Sequence, residues 1–361
     1  MRKSCVIGLI CSLFFTIGYF LKSYEDGDLK CVRYPNSLQP LDIETYDGGG
    51  EGLHPKCLYF HNGWNGAKFW FTFTPYKDMN EAIENPCIYT SNNGEDFIPV
   101  LSAYPLDDIS MSKKAEFNSD PHLVFNPDSN RIECFWRRVQ TGDYPDKDRR
   151  YLELIYRSWT KDGVSWSDKE LILEYHNNVE ATRGAICPVV HYDEGRYIIW
   201  VSCSEDIDGQ IRYIDCYEYT NDGYISKINR TPLQDCKPSH FDVVKKDSLY
   251  YLCAQDIGEE GFPYKLFVAS SPYDDFESCG KVLTTGSQGS WDSGRLYRPS
   301  LTIVDGAWWL YYSAYRGNES HVGLIKFDAW SQLSPQIVDH EAEIYKFYRK
   351  LKSLFVKHKG R

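Results

Sequence analysis

Acids, histidines and arginines stand beside prolines at intervals along this chain, and such side chains gathered in one place can break a bond or hold a sugar. They are Glu51 and His54 before Pro55, Glu84 before Asn85-Pro86, Asp120 before Pro121, Glu180 and Arg183 ahead of Cys187-Pro188, His240 and Asp242 after Pro238, and Tyr297 and Arg298 before Pro299. Cleavage of a glycosidic bond needs one protonated carboxyl to assist the leaving group and one ionised carboxylate as base or nucleophile. Acids crowded into one channel have their pKa values pushed apart, which supplies such a pair. Asp120 is expected as the ionised carboxylate and Glu180 or Asp242 as the proton donor, with Glu51 and Glu84 as substitutes. His54, Glu84, Arg183, His240, Tyr297 and Arg298 would hold the substrate, the arginines through bidentate contacts. Trp64, in the run Asn62-Gly-Trp-Asn-Gly, is expected on an exposed hairpin tip as a sugar-stacking platform or a packing lid. Each position also has a plain structural use: Asp120 as a turn cap, the histidines as satisfied core residues, the arginines as partners of neighbouring acids.

These residues can meet only if the chain is a ring of repeats. Five inner hairpins share one pattern, clearest in SDPHLVFNPDSNRIECFW from Ser119 to Trp136: an apolar strand after a proline, a polar turn, a second apolar strand. The other copies begin at His54-Pro55, Cys187-Pro188, Pro238 and Arg298-Pro299. Starts roughly 50 to 70 residues apart suit the four strands and loops of a propeller blade. A second marker follows in register: SNNGEDF from Ser91, TKDGVSW from Thr160 and TNDGYI from Thr220, with SSPYDDF from Ser270 as a degenerate copy. Asn or Asp followed by Gly supplies the positive backbone angles of a tight turn, and the hydroxyl can bond local backbone. These turns belong on the outside of a blade. Two markers recurring in order favour one closed ring over a two-sheet sandwich.

The net charge of −11 excludes a nucleic-acid partner for the body of the chain, since phosphate binding needs a basic face. Aromatic residues make up 16%, which suits packed strands and, on loops, sugar rings. The 12 cysteines show no CxxC spacing, so zinc is not expected, and Cys134, Cys203 and Cys253 sit in apolar strands where a buried free thiol is the ordinary use. No cofactor is expected; a calcium ion in an oxygen-rich channel is compatible with the composition. Arg2 and Lys3 precede the uncharged run Cys5–Leu21, long enough to serve as a signal peptide or an uncleaved anchor that leaves the rest outside the cytoplasm. At the other end, Ile344, Tyr348, Leu351 and Phe355 fall on one helical face followed by basic residues, a helix that docks on the domain or on a membrane surface.

The chain resembles the five-bladed propeller glycosidases, the superfamily of arabinanases, β-xylosidases and invertase-type fructosidases. The resemblance rests on Asp120-Pro121, on the run YRPSL…WWLYYSAY from Tyr297 to Tyr315, and on the repeated turns. HPKCLYFHNGWNGAKFWFTFTPY followed by ENPCIYTSNNGEDF is similar to bacterial and phage proteins described as glycosyl hydrolase-like. In the glycosidases a base Asp opens blade one, a pKa-tuning Asp lies in blade two and an acid Glu in blade three. The resemblance implies the second role for Asp120 and, approximately, the third for Glu180, but His54 stands where the base Asp belongs. The expectation is an all-β five-bladed propeller over 51–335, preceded by a membrane helix (1–22) and a stem (23–50) and followed by a basic helix (336–361). It would act as a glycoside hydrolase on an extracellular glycan, or bind glycan without cleaving it. A sialidase would need three arginines around a carboxylate, and only Arg183 and Arg298 present themselves.

Overall fold

The computed structural model of the protein describes residues 36–107, 116–141, 149–178, 186–204, 212–220, 223 and 225–328. The apolar run Cys5–Leu21, the expected C-terminal helix, Glu180 and Arg183 lie outside the described residues. Among those described, no helix is long and apolar enough to cross a membrane.

Five antiparallel sheets follow one another in sequence. Blade one holds β1 (Gly52–Trp64), β2 (Ala67–Pro75), β3 (Cys87–Ser91) and β4 (Ile98–Pro99); blade two holds β5 (Glu116–Asn126), β6 (Arg131–Thr141), β7 (Arg149–Thr160) and β8 (Glu170–Asn178). Blade three comprises β9 (Ile186–Asp193), β10 (Arg196–Ser204), β11 (Arg212–Thr220) and β12 (Ile225–Thr231); blade four comprises β13 (Pro238–Lys246), β14 (Leu249–Asp256), β15 (Tyr264–Ala269) and β16 (Glu277–Leu283). Blade five has three strands, β17 (Arg295–Val304), β18 (Ala307–Arg316) and β19 (Glu319–Phe327). The first strand of each blade packs against the first strands of its two neighbours, and β17 packs back on β1, so the ring closes.

The core is correspondingly divided. Five buried apolar clusters each fill the seam between successive blades, as where Trp70 and Ile88 of blade one meet Leu123 and Trp136 of blade two. The repeated turns act at the same seams. In blade one the Ser91 hydroxyl accepts from Gly94 N at 2.9 Å while Asn93 Oδ1 accepts from Glu95 N and Asp96 N at 3.0 and 2.9 Å. In blade two Thr160 and Asp162 repeat this with Gly163, Val164 and Ser165. Gly163, at φ +78°, lies so close that a Cβ would stand 2.3 Å from the Trp70 ring of blade one. The glycine therefore serves the turn and the seam together.

The last part of the expected stem is not a linker. Residues from Asn36 onward run along the open edge of blade five, with Leu41 N donating to Val322 O at 2.8 Å and Trp291 Nε1 donating to Ser37 O at 2.8 Å. Ile43 is buried in the seam between blades five and one. The segment covers the edge strand β19, which would otherwise present unpaired backbone groups. All nine described cysteines are free, seven of them buried, as expected for apolar-strand thiols.

Candidate functional site

Each inner strand carries the same irregularity. In β1 the register passes from Leu53↔Thr74 to Lys56↔Thr72, so His54 and Pro55 together oppose one residue. The equivalent pairs are Asp120-Pro121 in β5, Cys187-Pro188 in β9, Ser239-His240 in β13 and Tyr297-Arg298 in β17. A β-bulge frees a residue from the ladder and re-aims its side chain. His54, Asp120 and Cys187 take φ of 58°, 55° and 57°, left-handed values that cost non-glycine residues free energy and persist where the surroundings over-determine them. The prolines that mark the repeat in the sequence therefore mark five aligned bulges.

Three of the released side chains converge. His54 Nε2 lies 3.3 Å and His240 Nε2 3.2 Å from Asp120 Oδ1. All three residues are buried, and their ligand atoms lie within 4.8 Å of one another. The far side of each imidazole is tied down. Gln255 donates its amide to Leu296 O at 2.7 Å, so its Oε1, 3.2 Å from His240 Nδ1, accepts a proton from the ring. Thr74 turns its hydroxyl toward Leu53 O and presents a lone pair to His54 Nδ1 at 2.8 Å. Nδ1 of each ring is thus engaged, and both Nε2 atoms face one carboxylate oxygen. Orientation of this kind by the second nitrogen is what ligating histidines show.

Three positively charged or polar groups hold the carboxylate. Arg137 Nη1 binds Oδ2 at 2.9 Å, the Ser119 hydroxyl donates to the same oxygen at 3.2 Å, and Arg298 Nη1 reaches Oδ1 at 3.5 Å. Burial opposes the charge on Asp120, yet His54, His240 and Arg137 outweigh it, and the carboxyl is held well below its ordinary range. Burial also drives His54 well below its usual value and lowers His240, against the pull of Asp120. A carboxylate oxygen beside two imidazole nitrogens is the donor set of a divalent cation with nitrogen affinity, such as zinc, manganese or iron. Calcium, which takes oxygen ligands, does not fit two imidazoles.

The other expected residues fall into three groups. Tyr297 lines the cluster, its ring centroid 4.1 Å from His240 and 5.3 Å from His54. Glu84, at the end of a short helical turn (Glu81–Ile83), is buried with Oε2 unpartnered. Burial first, then the charge of Asp120, pushes its carboxyl well above the ordinary range, with Arg137 opposing. The shift favours its protonated form, and Asp120 lies within electrostatic reach.

Asp242 and Glu51 are engaged elsewhere. Both oxygens of Asp242 bind Lys56 Nζ, at 2.8 and 2.6 Å, and Oδ2 also accepts from Leu301 N at 2.7 Å. This carboxylate is paired, which is not the condition of a proton donor. Glu51 accepts from Ser320 N at 3.2 Å, where blade five meets blade one. Trp64 is not on an exposed tip: it is buried at the far end of β1, T-shaped against Trp70, with Nε1 donating to Asn130 Oδ1 at 3.0 Å. Its two-residue turn, Asn65-Gly66, has both residues at positive φ, and the ring packs against Phe125 of blade two.

Arg137 escaped sequence reasoning because it lies on a second strand, and the repeat register was read only on first strands. The Arg137-Arg138 pair inside the apolar strand β6 is the signal that marks it.

No family model matches the sequence. A curated relative, the A type blood N-acetyl-α-D-galactosamine deacetylase of Flavonifractor plautii, is 24% identical over an alignment of 315 residues that covers 72% of this chain and 40% of the relative. The chain thus spans about two fifths of that protein's length. A crystal structure of an N-acetylgalactosamine deacetylase from F. plautii, in complex with blood group B trisaccharide, superposes with a TM-score of 0.68 at 17% identity, covering 83% of this chain and 98% of that one. The fold is that of the glycoside hydrolase-like five-bladed propellers. Other solved propellers agree: an exo-β-1,3-galactanase from Phanerochaete chrysosporium with β-1,3-galactotriose (TM-score 0.58, 13% identity, 84% of this chain, 66% of that one) and a family 43 glycoside hydrolase from Bacillus licheniformis (0.55, 12%, 76% and 52%).

Proposed function

We propose that this propeller is a metal-dependent glycan deacylase, which removes the acetyl group from an N-acetylated amino sugar. The observation that carries it is the convergence of two imidazole nitrogens and one carboxylate oxygen, all buried, with their ligand atoms within 4.8 Å of one another. A glycosidase of the resembled kind needs an acid where His54 stands, and Asp242 is committed to Lys56. The F. plautii similarities support amide hydrolysis on the same fold.

His54, Asp120 and His240 would hold the ion, which when bound supplies polarisation of the acyl carbonyl and activation of water. Arg137 keeps Oδ2 occupied so that Asp120 offers Oδ1 alone. Gln255 and Thr74 keep the ring lone pairs pointed inward. Glu84, its protonated form favoured by burial, gives its proton to the departing nitrogen and regains one from the attacking water: the oxygen of water bonds to the acyl carbon, the carbon–nitrogen bond breaks, and amine and acetic acid leave. Tyr297 offers a ring face against which a sugar can lie.

The test is acetate release from a panel of N-acetylated oligosaccharides, by protein stripped of metal and then reloaded with zinc or manganese. Restored acetate release supports the reading. Release of reducing sugar that is indifferent to chelator overturns it, and favours hydrolysis by Asp120 with Glu84. Tethering through the run behind Arg2 and Lys3, with the propeller outside the cytoplasm, is part of the proposal; recovery of the protein in a cytoplasmic soluble fraction would exclude it.

A further inference from the structure

Behind the cluster of His54, Asp120 and His240 stands a further carboxylate, on the third strand of blade two. Glu153 lies in β7 between Leu152 and Leu154 and is only 2% exposed. Arg137 of β6 faces Ile155 across the ladder, with Glu153 two residues along β7, the diagonal position on the same face of the sheet. A charge inside each of two paired apolar strands is costly unless the charges meet. They do meet: Arg137 Nη2 lies 2.9 Å from Glu153 Oε1.

The guanidinium is thereby divided between two carboxylates. Nη1 binds Asp120 Oδ2 at 2.9 Å and approaches the Ser119 hydroxyl at 3.5 Å, Nη2 binds Glu153, and Nε has no partner among the described residues. Released from Glu153, the fork would settle on Asp120 with both nitrogens, the bidentate geometry that guanidinium and carboxylate favour. It would then occupy Oδ1, the oxygen that His54 and His240 face.

Charge gives a second reason. Asp120 is flanked by Arg137 and by Arg298, a fully buried arginine whose contacts are 3.5 Å to Oδ1 and 3.4 Å to Pro188 O. One carboxylate between two guanidiniums is a positive site, and a divalent ion adds two charges where burial makes Coulomb interactions strong. Glu153 brings the described group to two carboxylates and two guanidiniums. Glu84 cannot substitute, because burial favours its uncharged form, and Asp242 is closed on Lys56.

We propose that Glu153 is a positioning residue for the metal: it holds Arg137 on Oδ2 and offsets its charge, leaving Asp120 Oδ1 open to a divalent cation. The inference rests on the metal-dependent reading of the site. A Glu153 that served the fold alone would join β6 to β7 and leave the affinity for the ion as it was.

Zinc affinity of the full chain is to be measured by competition with a chromophoric chelator, beside urea unfolding of the metal-free protein. Glu153→Gln keeps the shape of the side chain and removes its charge; zinc binding should weaken about 10–100-fold, the range for contacts behind the ligands. In Arg137→Gln with Glu153→Gln both charges leave together, and most of that loss should be recovered. Glu153→Asp, which keeps the charge but draws it back by one methylene, should lose less, and it carries the test if Glu153→Gln does not fold. Lower unfolding free energy with unchanged zinc affinity is the result of a purely structural pair and overturns the proposal, as does a double variant no better than Glu153→Gln. Failure of the deacylase reading shows separately, as zinc bound in this Glu153-dependent way without acetate release; an unaltered protein that binds no zinc overturns both.

Discussion

At the bulges, His54, Asp120 and His240 meet with two imidazole nitrogens beside one carboxylate oxygen. Two residues farther along the same strands, Lys56, His122 and Asp242 meet in an equally buried tier, and there the chain supplies its own cation. Lys56 Nζ takes both oxygens of Asp242, and His122 Nε2 donates to Val190 O at 3.1 Å. Each trio joins first strands of blades one, two and four, so both tiers lie where the inner strands of the ring meet. They are one design with opposite closure. The lower tier is neutralised within the fold and holds β1 to β13 across the ring. The upper tier has Arg137 and Arg298 beside its carboxylate and, on the deacylase reading, would take a further charge from outside; the bulges keep it out of the ladder so that its members do not have to serve the sheet.

The contrast can be broken from either side. The largest effect is expected from Asp120→Asn, which removes the anionic ligand: metal content should fall to background and acetate release by more than ~100-fold, beyond the ~10–100-fold typical of outer-sphere changes. Metal analysis and product assays check this. Lys56→Met should leave metal affinity intact but strand a buried Asp242, destabilising the fold by about 3–5 kcal/mol in urea unfolding. Lys56→Met with Asp242→Asn should recover much of that. If Lys56→Met strips the metal instead, the two tiers are not independent.

Gln255→Leu tests the orienting contact alone: a loss of about 10–100-fold in metal affinity is expected, with a much smaller change in unfolding free energy. The smallest effect is a slope. Because Glu84 is raised from 4.5 by burial, the unfolded chain releases its proton before the folded one does. Stability therefore falls as pH rises above about 4.5, by at most ~1.4 kcal/mol per pH unit, until the folded carboxyl itself ionises. Glu84→Gln should flatten that slope in denaturation curves taken between pH 4 and 7; an unchanged slope would mean that Glu84 is already ionised.

Much of the frame was legible beforehand because it repeats. Prolines beside polar residues marked the five inner strands, and the hydroxyl-Asx-Gly turns fixed the blade register. Asp120, His54, His240, Tyr297 and Arg298 were legible as members of one cluster for the same reason: each sits at a repeat position. Partnership was not legible. Alternation along a strand says which face a residue takes, but not that Lys56 of blade one meets Asp242 of blade four, so Asp242 was expected as an acid and found as half of an ion pair. Trp64 was misjudged because a tryptophan beside Asn-Gly looks exposed until the neighbouring blade is placed over it. The segment from Asn36 was misjudged because a polar composition does not reveal that it edges blade five.

The five aligned bulges have a consequence for descent. A residue released from strand pairing can be replaced without disturbing the ladder on either side, so His at position 54 and Asp in the resembled glycosidases occupy a place that the fold leaves open to change. A ring built this way can exchange one reaction for another by single substitutions at its mouth, while the seams that determine whether it folds stay as they were. Diversification of chemistry and conservation of architecture then fall under separate selection, acting on different residues of the same strands.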